Sequence, residues 1–223
     1  EVASVCVNNT LRLTCRAGCV QDEERVRGFH LPTGVQHPLL FRHPETSKEV
    51  VFTPENFADS LSLASIKLTE TRVVYTPDYV GIDYPMGDVP VNTGVCTDVI
   101  IRAYRAMGID LQKELHEDIK NFPNRYPNID RADHNIDHRR VPNLSKFFTE
   151  YGEVLEVSNN TNNYKAGDII YWKLGGTTDH IGIVTHLKNK NGTPLIVHNI
   201  CCGQNLEDCL FDYPIYKHFR FRK

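Results

Sequence analysis

The sequence has almost no excess of charge. Its 25 Lys and Arg against 28 Asp and Glu leave a net charge of −3, so nothing in the balance draws the chain to nucleic acid. It lacks any apolar run near the roughly 18–20 residues that a membrane-spanning helix requires, and no transmembrane segment is expected. No internal repeat or low-complexity tract interrupts it. Paired Cys-x-x-Cys ligands are missing as well. Cys15-x-x-x-Cys19 and the adjacent Cys201-Cys202 suit zinc poorly, and neither a metal nor a cofactor is expected.

What remains is ordinary globular material. A chain of 223 residues, 40% hydrophobic and 24% charged, can bury one sizeable core with a modest appendage. Seven cysteines are many for a reducing compartment, and the odd count suggests one free thiol beside disulfides among Cys6, Cys15, Cys19, Cys201, Cys202 and Cys209. A secreted, periplasmic or cell-envelope location follows. The start at Glu1 fits a mature protein trimmed of a leader, and equally a shortened chain. Asn8, Asn143, Asn159 and Asn191 head Asn-x-Ser/Thr triplets that could accept glycans.

Residues 1–57 carry Gly28, Pro32, Gly34, Pro38 and Pro44, which break any period, and read as an irregular extension or small appendage of open role. From residue 58 to 223 the patterns become regular. FADSLSLASI, residues 57–66, is apolar at helical spacing behind Pro54. Val73 to Val91 reads as an ordered loop. In GVCTDVIIRAYRAMGID, Val95, Val99, Ile100, Ala103, Tyr104 and Met107 form one helical face, and Gly108 ends it. Asn121 to Pro142 is a second long connection, followed by a short helix near Leu144 to Tyr151. DIIYWK, HIGIVTH, PLIVHNI and KHFRFR then change the period to that of short strands separated by Gly- and Asn-rich turns. Helices followed by a meander predict an α+β fold, with a cysteine-bearing helix packed on an antiparallel sheet.

The chemistry-bearing residues stand at the joints of this plan. Cys96 precedes the apolar stripe, where unpaired N–H groups and the positive helix end should favour a thiolate and offer an oxyanion hole. His180 opens the strand HIGIVTH and is placed as the base; His198, one strand later, is placed to orient it. On this reading the Cys96 sulfur lies within hydrogen-bond reach of a His180 ring nitrogen. His134-x-x-x-His138 has ligand spacing only on a helix, and its Asp- and Asn-rich surroundings argue instead for a loop in which Arg139 or Arg140 grips a carboxylate.

GVCTDV, YKAGDII, DHIGIVTH and PLIVHNI resemble the motif series of NlpC/p60-type cell-wall peptidases. YVGIDYPMGDVP, GIDLQKELHEDI and NIDHRRVPNL bring the likeness closer to the bacterial family called domain of unknown function 1287, over about residues 58–222. The resemblance implies a papain-like fold, with Cys96 as nucleophile, His180 as base and His198 as orienting residue. It implies a peptidoglycan stem peptide, or another peptide or amide, as substrate partner. NlpC-type peptidases carry Ser-Gly after the cysteine, whereas Thr97-Asp98 follows here, so Asp98 becomes a candidate substrate contact beside Arg139 and Arg140. Acyl transfer, transglutamination, a secreted toxin and a non-catalytic binding module are the alternatives that the same site allows.

Overall fold

A computed structural model describes residues 4–7, 10–13, 52–201 and 203–222, the first two segments as backbone alone. Those two, β1 (Ser4–Val7) and β2 (Thr10–Leu13), pair antiparallel with each other. Of the predicted extension, residues 1–57, residues 1–3, 8–9 and 14–51 lie outside the described residues.

Helix α1 (Phe57–Leu68) starts where Asn56 accepts the Asp59 N–H at 3.0 Å, one of the donors that a helix start leaves unpaired. Two short parallel strands, β3 (Val74–Tyr75) and β4 (Thr93–Gly94), bracket the long loop and deliver the chain to α2 (Cys96–Ala106). Helices α3 (Leu111–Asn121) and α4 (Val141–Tyr151) follow, with a 3₁₀ turn at Asp137–Arg139 between them. Six strands then build one antiparallel sheet in the order β5 (Glu153–Leu155), β10 (Ile215–Arg220), β6 (Ile169–Leu174), β7 (Thr178–Lys188), β8 (Pro194–Asn199), β9 (Gln204–Glu207). The result is a mixed α and β fold with an antiparallel sheet, as the change of period predicted.

Alternation along the strands gives the sheet two faces. Ile169, Tyr171, Ile181, Ile183, Val197 and Phe219 meet Leu61 of α1, Val99 and Ile100 of α2 and Phe148 of α4 in the main core. Ile170, Trp172, Val184 and Ile196 face the other way, onto Tyr164, Cys209 and Leu210. Gly167 holds φ at +79° at the mouth of β6, and a Cβ there would come within 2.9 Å of the Ala58 Cα, so glycine is what lets α1 lie against the strand. Asp168 is fully buried and anchored by Arg220 Nε at 2.7 Å and His218 Nε2 at 2.7 Å, which locks β10 to β6.

Two expectations fail here. Cys201 is disulfide-bonded, but Cys209 is a free, buried thiol and not half of a disulfide; Cys202 and the side chains of Cys6, Cys15 and Cys19 lie outside the described residues. Asn143 is buried with its Nδ2 donating to the Asp137 carbonyl at 2.9 Å, so its triplet cannot present an amide to a glycosylating enzyme.

Candidate active site

Helix α2 begins at Cys96 because the chain ahead of it is extended at Val95 and Asp98 reaches back to accept the Val95 N–H at 2.6 Å. The same carboxylate is gripped on both oxygens by Arg139, Nε to Oδ1 at 2.9 Å and Nη2 to Oδ2 at 3.0 Å. Thr97 Oγ1 adds a bond to the Arg139 carbonyl at 3.0 Å, and Arg139 Nη1 one to the Asp78 carbonyl at 3.2 Å. Asp98 and Arg139, predicted as substrate contacts, thus spend their hydrogen bonds on fixing the helix start, the 3₁₀ turn and the 73–91 loop to one another. Arg140 is exposed and lines the cleft at Cys96.

The ion pair is almost wholly buried, so removing one partner strands a charge in the core. Asp98→Ala is expected to lower the unfolding free energy by about 3–5 kcal/mol. Arg139→Met on top of it should recover part of that loss, because the stranded guanidinium disappears. Urea denaturation checks both, and equal midpoints for wild type and Asp98→Ala would refute the assignment.

His180 Nε2 and His198 Nδ1 are 2.7 Å apart, and His198 Nε2 stands 3.2 Å from Glu207 Oε2. These contacts follow from the register. His180 lies opposite Trp172 and His198 opposite Gly182, so both imidazoles fall on the Trp172 face, where the indole stacks on His180 with ring centroids 5.6 Å apart. A Cβ on Gly182 would meet Ile196 Cγ2 at 2.8 Å and His198 Cβ at 3.1 Å, so only glycine leaves room for the pair. The carboxylate of Glu207 favours a proton on His198 Nε2, and with that tautomer His198 Nδ1 accepts from His180 Nε2–H. That tautomer leaves the free lone pair of His180 on Nδ1.

Cys96 comes to the same end of the sheet from the helix side. Asn199, the last residue of β8, donates Nδ2 to the Gly94 carbonyl at 3.2 Å, which ties the end of that strand to the approach to Cys96. β8 stops pairing with β7 at Gly182, short of His180. The predicted bond from the Cys96 sulfur to a His180 ring nitrogen is not made among the described residues, because Nε2 is committed to His198 and the rings lie on the Trp172 face. Nor is the thiol acidified: burial, with the Asp98 charge adding to it, pushes Cys96 up to about 12, while the Ile181 and Thr97 N–H groups pull the other way. Burial, with the neighbouring His198, holds His180 well below the ordinary imidazole range.

Cys96, Tyr75, Asp179, Arg131 and Arg140 line a cleft of about 850 Å³. Burial and the Cys96 and Asp98 charges push the Tyr75 phenol up to about 12, so it stays a hydroxyl donor facing the thiol's surroundings. Tyr75, Trp172 and Glu207 do not stand out in the sequence; only the pairing of β3 with β4, of β6 with β7 and of β8 with β9 brings them in. His134 and His138 share no helix, since residues 137–139 form a 3₁₀ turn, and His138 is buried with its Nδ1 unpartnered.

The family described as "Domain of unknown function (DUF1287)" matches residues 62–221. A protein of Escherichia coli (strain K12), "Uncharacterized protein YijF", is 47% identical over 155 residues, 68% of this chain and 75% of that protein. Among solved structures, NlpC1 from Trichomonas vaginalis aligns with a TM-score of 0.41 at 14% identity, over 75% of this chain and 46% of that one, so the chain spans under half of its length.

Proposed function

The chain belongs to the DUF1287 family, and we propose that it is a cysteine-nucleophile amide hydrolase of papain-like architecture that cleaves peptidoglycan stem peptides at the cell envelope. The observation that carries the reading is the hydrogen-bonded chain Glu207, His198, His180, at the strand end that Asn199 ties to the approach to Cys96. Cys96 attacks the carbonyl carbon as its proton passes to His180, and the N–H groups of the first turn of α2 receive the developing oxyanion. His198 and Glu207 hold His180 in the tautomer able to accept that proton. Arg140 supplies a cation for a substrate carboxylate, while Asp98 and Arg139 act as positioning residues. The motif series GVCTDV, DHIGIVTH and PLIVHNI, and its likeness to NlpC/p60-type peptidases, supports the substrate class and, with it, an exported location.

A non-catalytic wall-binding module is the second reading, favoured by one observation, the burial of Cys96, which pushes its thiol up to about 12. Incubating purified peptidoglycan fragments with the protein and analysing them by mass spectrometry separates the two. New fragments one water heavier in sum, made by wild type and not by Cys96→Ala, are the expected result. Binding without any new fragment supports the module and overturns the hydrolase.

A further inference from the structure

The tail of the histidine chain holds a group that the proposed hydrolysis does not use. Cys209 Sγ lies 3.5 Å from His198 Nε2, the same nitrogen that stands 3.2 Å from Glu207 Oε2. One donor atom from each of His198, Glu207 and Cys209 falls within 4.8 Å of the others. A single N–H cannot point well at two acceptors at once, whereas a cation can be shared by three donors. Zinc binds imidazole nitrogen and carboxylate oxygen at about 2.0 Å and thiolate at about 2.3 Å, so a tetrahedral site separates N from S by roughly 3.5 Å and N from O by roughly 3.3 Å. The two spacings from His198 Nε2 match that geometry, and the Glu207 oxygen and Cys209 sulfur lie within 4.8 Å of each other. His198 and Cys209 are buried and so preorganised, while Glu207 is 44% exposed and opens the group to solvent.

We propose that His198 Nε2, Glu207 and Cys209 Sγ form a site for a borderline-soft divalent cation of the zinc class, with the fourth position left to water, and that its occupancy switches off the base at His180. Burial, and after it the charges of Glu207, Asp212 and Asp208, disfavours the Cys209 thiolate in the empty site, and those same charges are the field that attracts a dication. Binding sends the Cys209 thiol proton to solvent and places the metal on His198 Nε2, whose own proton moves to Nδ1. Nδ1–H then donates to His180 Nε2, and the proton displaced there is carried on His180 Nδ1, so the lone pair meant for Cys96 is gone. No electron is transferred, and removing the cation restores the first arrangement. The inhibitory part rests on the proposed hydrolysis; the binding part does not.

Cobalt(II) reports thiolate ligation through a near-ultraviolet charge-transfer band and needs no substrate. One equivalent is expected to produce the band in wild-type protein, zinc to displace it, and Cys209→Ala to weaken binding by about 100-fold or more. Glu207→Gln, read by cobalt alone, gives a second test should Cys209→Ala fold poorly, with a loss of at least about tenfold. No band up to millimolar cobalt, or an undiminished band in Cys209→Ala, overturns the site whether or not the protein cleaves anything. On a cleavable fragment, zinc should slow wild type by at least about tenfold and spare Cys209→Ala. Equal inhibition of both would put the zinc on Cys96 and overturn the switch.

Discussion

Cys96→Ala is expected to abolish amide cleavage, and His180→Ala to come close, with a loss in the range of about 10²–10⁴-fold that general-base assistance supplies. His198→Ala should cost less, since the base is still present but loses the acceptor that fixes its tautomer. Glu207→Gln should cost least, because that carboxylate is half open to water and water can take its place at His198 Nε2. The diagnostic case is the double variant His180→Ala with His198→Ala. If His198 acts only through His180, removing it from a protein that already lacks His180 changes nothing further, and the double should match His180→Ala within about a factor of three. Initial rates on a single cleavable peptide decide it: losses that multiply would mean that His198 works independently, as a substrate contact.

Much of this arrangement could be read locally, and the part that could not is long-range. Helices α1 and α2 and strands β6, β7, β8 and β10 follow from apolar period and turn residues, and their positions agree with the reading to within a few residues. Strand β9 does not announce itself, since QNLE has no β-branched or aromatic residue; pairing with β8 makes it a strand. Glu207 and Cys209 were therefore invisible as site residues, and Cys209 was counted with the disulfide candidates. Asp98 and Arg139 are 41 positions apart, and no local pattern tells that an acid two residues past Cys96 will be neutralised from a distant turn. The same limit applies to the thiol. A helix start can be seen in a sequence, but the depth to which the fold sinks it cannot.

That contest between helix start and burial sets the last expected result, the pH dependence of Cys96 reactivity. The positive end of a helix favours an anion by about 0.3–1 kcal/mol, and by about 2 kcal/mol in the best partly buried cases. Burial, with the Asp98 charge adding to it, pushes the thiol up to about 12 even though the Ile181 and Thr97 N–H groups pull the other way. Burial wins, and since His180 is also held well below its ordinary range, a thiolate–imidazolium pair is disfavoured on both sides. On the proposed mechanism the resting site would hold a thiol and a neutral imidazole, with the proton moving during attack, as it does for a serine nucleophile. Alkylation of Cys96 by iodoacetamide, followed by peptide mass spectrometry with circular dichroism to confirm the fold at each point, should therefore rise about tenfold per pH unit from roughly pH 6 to pH 10. It should reach no plateau in that range, and His180→Ala should leave the neutral-pH rate nearly unchanged, because no imidazolium is there to lose. A plateau setting in below about pH 7, lost in His180→Ala, would show instead that the ion pair pre-exists, and that the helix start, not the burial, governs the nucleophile.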